Sequence, residues 1–297
     1  MTLADPTQVV TSQPLGDLRR RTLLGALWHS SRGRVGCVLV GIVVACAIAG
    51  AIGATPYSPQ AQNPLASLKA PSFNYIMGTD QFGRDELSQV FQGLYVSLQI
   101  ACVAVAIAGV IGTVAGIVAG YLGGRSSLVI MRLTDMLFAI PAIVLALAIV
   151  TALGTGWLDS ALAIGIGYIP IFVRVVRGPV LSLRTAGYVL AGQVLGFSKV
   201  RLLFRHILPN VAGIVAVQVS LALAWSILAE ASLSFLGLGP PPPTASLGEM
   251  VSESASLAST AWWTLAAPSI AIVIAVIGFN FLGDGLRDAA DPRARTR

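Results

Sequence analysis

Apolar and polar positions in this chain are sorted into long blocks, not into the alternation of a strand or the single stripe of a surface helix. A helix crosses a hydrocarbon core with about 20 apolar residues, and six stretches meet or approach that length. Residues 35–54 form one charge-free run, and 87–124 form a longer one whose C-terminal part, 97–122, reads as the second helix. Residues 136–158 are the third. Residues 160–173 are shorter and reach full length only with Trp157 and Val176. Residues 207–229 and 264–283 are the fifth and sixth. Residues 231–248 are also uncharged, but Pro240–Pro243 and several glycines disfavour a spanning helix there, which predicts an outer loop or re-entrant segment. The fold class that follows is an all-α membrane protein with six transmembrane helices.

Composition agrees with lipid as the solvent. Charged residues make up 11% of the chain, against about 25% in soluble domains. The run at 35–54 lacks a small-residue cleavage site and reads as a retained helix. Cys37, Cys46 and Cys102 all fall in apolar stretches without metal-ligand spacing, as small packing residues do.

Charge then orients the spans. Cytoplasmic loops are enriched in Lys and Arg. With the N-terminus inside, the cytoplasmic segments hold Arg19, Arg20, Arg21, Arg32 and Arg34; Arg125 and Arg132; Arg174, Arg177, Arg184, Lys199, Arg201 and Arg205; and Arg287, Arg293, Arg295 and Arg297. Only Lys69 and Arg84 are left outside, with Asp80, Asp85, Glu86, Asp159, Glu230, Glu249 and Glu253. This pattern predicts both termini in the cytoplasm and accounts for the net charge of +6 without a nucleic-acid partner. The predicted organisation is a cytoplasmic tail (1–34), a first helix with an extracytoplasmic loop (35–93), a five-helix core (94–283) with a cytoplasmic loop at 187–210, and a second cytoplasmic tail (284–297).

Gly112, Gly116, Gly120 and Gly124 recur every fourth residue. They predict close helix packing, with a flexible pore-lining helix as the alternative. Catalytic patterns are absent from the sequence. Neither Lys69 nor Lys199 follows a glycine, so no phosphate-cradling P-loop exists, and His29 and His206 form no His-Glu-x-x-His pair. Asp135, Glu230 and Asp284 fall at predicted helix ends within reach of interfacial water. The lack of a midplane carboxylate argues against a proton-coupled secondary transporter. Gln218, Ser220, Trp225 and Ser226 in the fifth span and Asn280 in the sixth are candidate path-lining residues, with interhelical hydrogen bonding as the plainer alternative.

The loop between the fourth and fifth spans carries most of the functional signal. Tyr188, Ala191, Leu195 and Phe197 are candidates for one apolar face, Gly196 permits a break, and a second short helix follows at about 198–206, with Ser198 as its cap. This helix places Lys199, Arg201 and Arg205 in the cytosol. Pro209 suits the first turn of the fifth span. Such a helix–turn–helix could dock into a partner's groove or rest on anionic headgroups.

The loop resembles the EAA motif of ABC-importer permeases. Ala191, Gly196, the Arg205-His206 pair and Leu208-Pro209-Asn210 match its peptide-importer form. Leu190 stands where the family usually has Glu, Gly192 where it has Ala, and Gln193 where Arg is common. The stretches 78–85 (Gly-Thr-Asp-Gln-Phe-Gly-Arg-Asp), 230–239 and 283–288 with Asp291-Pro292, and Met131 to Asp135 with Pro141, are similar to the C-type subunit of dipeptide and oligopeptide importers. The likeness covers about 32–292. It implies the type I importer permease fold in a bacterial inner membrane and a pore shared with a second homologous permease. It also implies two ATP-binding subunits carrying ATP and Mg (none in this chain, which is then not an enzyme), and an extracytoplasmic substrate-binding protein. By the same resemblance Tyr188, Ala191, Gly192, Leu195, Gly196, Phe197, Arg201, Arg205 and Pro209 belong to the ATPase-coupling loop. Peptides are the expected cargo. Nickel, glutathione and opine importers share this subunit type.

Overall fold

The apolar blocks fold into helices whose ends are set by caps and backbone breaks that hydropathy does not register. The computed structural model describes residues 28, 30–241 and 243–290. Arg19, Arg20, Arg21, His29, Pro242, Arg293, Arg295, Arg297 and the Asp291-Pro292 pair lie outside the described residues. In chain order the helices are α1 (Ser31–Ala51), α2 (Glu86–Leu122), α3 (Gly124–Phe138), α4 (Ala142–Leu153), α5 (Trp157–Leu183), α6 (Gly187–Val194), α7 (Lys199–Leu202), α8 (Leu208–Phe235), α9 (Leu247–Ser254) and α10 (Trp262–Ala290). Among the described residues five helices are long and apolar enough to cross a membrane, counting α7 and α8 as one, and the bent pair α3–α4 makes a sixth span.

Several boundaries differ from the sequence expectation. The second helix begins at Glu86, not near 97, because the Asp85 carboxylate accepts hydrogen bonds from the Ser88 N–H (2.9 Å) and hydroxyl (2.6 Å) and caps it. The outer loop therefore ends at Asp85. At 37 residues and about 1.5 Å each, α2 outruns a hydrocarbon core of about 30 Å. The third span is no single helix over 136–158. It is α3 and α4 meeting at 86°, since Pro141, extended at ψ 132°, lacks an N–H and disfavours helix in the residue before it. The fourth span is longer than 160–173, running Trp157–Leu183 through Pro170 and Pro179.

The predicted second short helix is continuous with the fifth span. α7 passes through a π-helical turn, Leu203–Ile207, into α8. Pro209 cannot donate to the carbonyl four residues back, and the wider turn absorbs the missing bond. The Asn210 side-chain amide donates to the His206 carbonyl there. The end of α8 extends to Phe235, so only 236–246 of the expected outer segment is loop.

α2 is the central element. A Cβ on Gly112 would lie 2.5 Å from that of Phe172, one on Gly116 2.8 Å from the Val173 carbonyl oxygen, and one on Gly120 2.7 Å from Val180 Cγ1. These three glycines let α2 lie against α5, the packing reading of the small-residue repeat. Gly124 does not share their face. It opens α3 after a left-handed Gly123 (φ +66°). α1 and α10 pack along each other beside α2 and α8. Apolar side chains such as Val38, Val110 and Ile270 point outward from these helices at 54%, 66% and 57% exposure, as a lipid-facing surface would.

Candidate functional site

The basic end of the bundle carries the 187–210 segment. α6 stops by a Schellman turn. The Phe197 N–H donates to the Gly192 carbonyl and the Gly196 N–H to that of Gln193, both at 3.0 Å, with Gly196 left-handed at φ +76°. The predicted break therefore falls at Gly196. A Cβ on Gly192 would meet Leu202 Cδ2 at 2.8 Å and Phe197 Cδ2 at 3.2 Å. Glycine stands here because the returning chain folds back onto it. Ser198 caps α7, its hydroxyl accepting from the Arg201 N–H at 3.3 Å. The Phe197 ring has the Arg201 guanidinium over it at 5.2 Å and stacks near the His206 ring at 6.2 Å. The Tyr188 ring is also near His206, at 6.3 Å.

The buried side of α6 is Val189 and Gly192, and Phe197 is half-buried. Its free face is not the predicted set of Tyr188, Ala191, Leu195 and Phe197. Tyr188, Ala191 and Leu195 are exposed, and they are joined by Leu190 and Val194, the latter 88% exposed. The i, i+4 spacing of Leu190 with Val194 and of Ala191 with Leu195 could have flagged this face. Arg201, Arg205 and Pro209 are also exposed. The hairpin is tied to the spans by the Gln193 amide, which donates to the Tyr121 hydroxyl (3.2 Å), and by a buried cluster of Ile117, Val176, Val180, Ile207 and Val211 from α2, α5, the π turn and α8. The hairpin is thereby in contact with three membrane helices.

The candidate path residues do not share one environment. The Ser220 hydroxyl donates to the Phe279 carbonyl at 2.7 Å, and the Asn280 amide to the Val276 carbonyl at 2.9 Å. Ser226 is buried, Gln218 half-buried and Trp225 exposed.

At the acidic end the 78–85 stretch forms a turn closed by its own polar groups. Asp80 accepts from the Phe82 and Arg84 N–H groups, each at 2.8 Å, and from the Gln89 amide at 3.1 Å, and it pairs with the Arg84 guanidinium. Arg84 also reaches Glu253 of α9 at 3.4 Å. The Trp263 indole N–H of α10 donates to the Thr79 carbonyl at 3.1 Å. Beside Glu253, burial and then the Glu253 charge push the Glu249 carboxyl above its ordinary range, with Arg84 opposing them.

Glu230 corrects the sequence reading. It is not at a water-reached helix end but fully buried in α8. Its oxygens accept from the hydroxyls of Ser97 of α2 (2.6 Å), Ser234 (2.8 Å) and Ser246 of the 236–246 loop (3.0 Å). The Ser234 spacing of four was legible; the partners on α2 and beyond the proline run were not. With two bonds to neighbouring segments and one within α8, this carboxylate reads as a clasp between α8, α2 and the 236–246 loop.

Comparison with known proteins bears on both ends. The family model for the binding-protein-dependent transport system inner membrane component matches residues 112–296. A putative peptide transport system permease protein of Brucella suis biovar 1 is 40% identical over 262 residues, 88% of each chain. The dipeptide transport system permease protein DppC of Escherichia coli K12 is 38% identical over 283 residues, 92% of this chain and 94% of that one. DppC of Alkalihalophilus pseudofirmus is 39% identical over 234 residues, 79% and 77% of the two.

Proposed function

This chain belongs to the family of binding-protein-dependent transport system inner membrane components, transport permeases rather than enzymes, and from that premise we propose that it imports di- or oligopeptides as one of two pore-forming subunits driven by ATPases on other chains. The relatives named above supply the cargo class: they are peptide and dipeptide permeases along most of this chain's length. In this reading the basic end faces the cytoplasm, following the Lys and Arg asymmetry, and the acidic end receives a substrate-loaded binding protein.

The observation that carries the coupling role is the unpartnered apolar face of α6 on a hairpin fastened to α2, α5 and α8. Closure of two ATPase subunits around bound ATP and Mg would move α6. The Gln193–Tyr121 bond and the Ile207 cluster would pass that movement into the spans. Ala191, small and exposed, admits close approach of the ATPase groove. Gly196 supplies the turn that holds the face outward. Gln218 and Trp225 remain accessible to a pathway shared with the second permease, whereas Ser220 and Asn280 are engaged in bonds to neighbouring backbone.

Replacing Ala191 with Trp should bring uptake by the assembled complex to background and remove the dependence of its ATPase activity on loaded binding protein. The subunit's abundance in the membrane should be unchanged, because the added volume falls on an exposed face. Wild-type uptake at normal expression would sink the coupling role. Loss of uptake on adding a protonophore with ATP held constant would sink the ATP-driven reading itself.

A further inference from the structure

A cleft of about 380 Å³ opens at the basic end where α2 turns into α3. Its walls carry Arg132 of α3, Arg177 of α5, Arg184 at the C-cap of α5, and the half-buried Ser127. One carboxylate lines it, Asp135, and Arg174 already holds that group at 2.8 Å while lying over the Phe138 ring at 3.9 Å. None of the three lining arginines has an ion-pair partner among the described residues. The Nε of Arg177 is buried and has no acceptor among the described residues. A buried donor from a charged group left without an acceptor is costly, so the arrangement lacks an anionic complement.

The backbone adds to the same deficit. α3 is 15 residues long and starts in this cleft from two left-handed glycines, Gly123 (φ +66°) and Gly124 (φ +55°), with no side chain capping its first turn. The N–H groups of a first helical turn, with the positive end of the helix dipole, favour a negatively charged oxygen ligand. Guanidinium forks match the oxygens of a phosphate in pairs. Leu128 and Met131 line the cleft beside the arginines, so an apolar chain attached to such a phosphate would also have a surface to lie on.

We propose that this cleft is a binding site for a phosphate oxyanion, presented either as the phosphodiester headgroup of an anionic phospholipid or as dissolved phosphate. The site lies at the end of the bundle that bears the 187–210 hairpin, because Tyr121, bonded to Gln193, is two residues from Gly123. An occupant there would bridge α3 to α5 beside the hairpin's attachment.

The test uses the full chain purified in neutral detergent. Native mass spectrometry would count retained phosphatidylglycerol against phosphatidylcholine of the same acyl chains, and thermal unfolding would be followed in millimolar inorganic phosphate without added lipid. Preferential retention of phosphatidylglycerol, weakened about fivefold for each of Arg177→Gln and Arg184→Gln, assigns the headgroup source, since an interfacial cation contributes about that factor. Stabilisation by inorganic phosphate that vanishes in the same variants assigns the dissolved source. Arg125→Gln, an exposed arginine outside the cleft, should change neither readout. If Arg177→Gln does not fold, Arg184→Gln, on an exposed side chain, gives the same readouts. Indifference to both headgroup and phosphate, or equal losses in the cleft variants and Arg125→Gln, would overturn the proposal.

Discussion

At the acidic end, Asp80 alone accepts hydrogen bonds from two backbone N–H groups and the Gln89 amide while pairing with Arg84, and Glu230 binds three serines from different segments. At the basic end, α6 turns Leu190, Val194 and Leu195 outward and fastens itself by Gln193 to Tyr121. Both regions matched family motifs in the sequence, yet the acidic end is bonded largely within itself, with the buried Glu86 Oε2 left unpartnered among the described residues, whereas the free face of α6 has no such bonds. Buried polar groups in their own network fix a local structure. A group of apolar side chains left exposed at a helix–turn–helix marks a surface meant for something else. A motif thus has two physical settings here: the acidic-end residues bond mainly to one another, and the basic-end residues leave an apolar face open, the face proposed above to dock an ATPase.

The widest separation between the two settings is expected from Glu230→Ala. It strands three buried hydroxyls and unties the 236–246 loop from α2, a loss of about 3 kcal/mol by analogy with broken buried networks. Thermal unfolding in detergent should show a lower Tm, with reduced abundance in the membrane. A Tm equal to wild type would mean that the clasp is dispensable and that Glu230 serves transport directly.

The opposite behaviour is expected from Val194→Ser combined with Leu195→Ser. These side chains are 88% and 72% exposed in the isolated chain, so stability should stay within about 0.5 kcal/mol of wild type while stimulated ATPase activity and uptake both fall. A large drop in Tm with normal coupling would reverse the assignment of the two ends.

How much of this was legible in the sequence follows from the same contrast. Hydropathy reports one variable, the solvent around a segment, and it located all six spans because lipid demands long uncharged runs. It misplaced the start of α2 because the cap is a single Asp85 side chain. It also missed the break at Pro141, because residues 136–140 just before it are as apolar as α4, although the rest of α3 carries Arg125, Arg132 and Asp135. Gly112, Gly116 and Gly120 were readable as packing residues since the small-residue rule is local to one helix. Glu230 was misread because a carboxylate's surroundings are set by Ser97 and Ser246, 133 and 16 residues away. The Schellman turn at Gly196 was readable because its chemistry is contained in six consecutive residues. The exposed pair Leu190 and Val194 is harder to see in the sequence, because Leu190 stands where the family usually has Glu and only the fold shows it turned outward beside Val194.

The smallest expected effect tests how far the acidic end is satisfied. Glu249 sits beside Glu253 with Arg84 as the opposing charge, and its carboxyl titrates above the ordinary value. For an acid whose folded pKa exceeds its unfolded one, the neutral form is favoured by folding. The penalty is therefore absent below the unfolded value of about 4.3 and grows as pH rises through the folded value. Glu249→Gln should leave stability unchanged near pH 4 and raise it by a few tenths of a kcal/mol at pH 8, a size set by the group's partial exposure to water. The measurement is Tm of the two proteins across that range, with Glu253→Gln expected to relieve part of the same penalty from the neighbouring side. A destabilised Glu249→Gln at pH 8 would mean that attraction to Arg84 outweighs burial and repulsion, making Glu249 one more strut of the acidic end and leaving Glu86, whose buried Oε2 lacks a partner among the described residues, as its strained member.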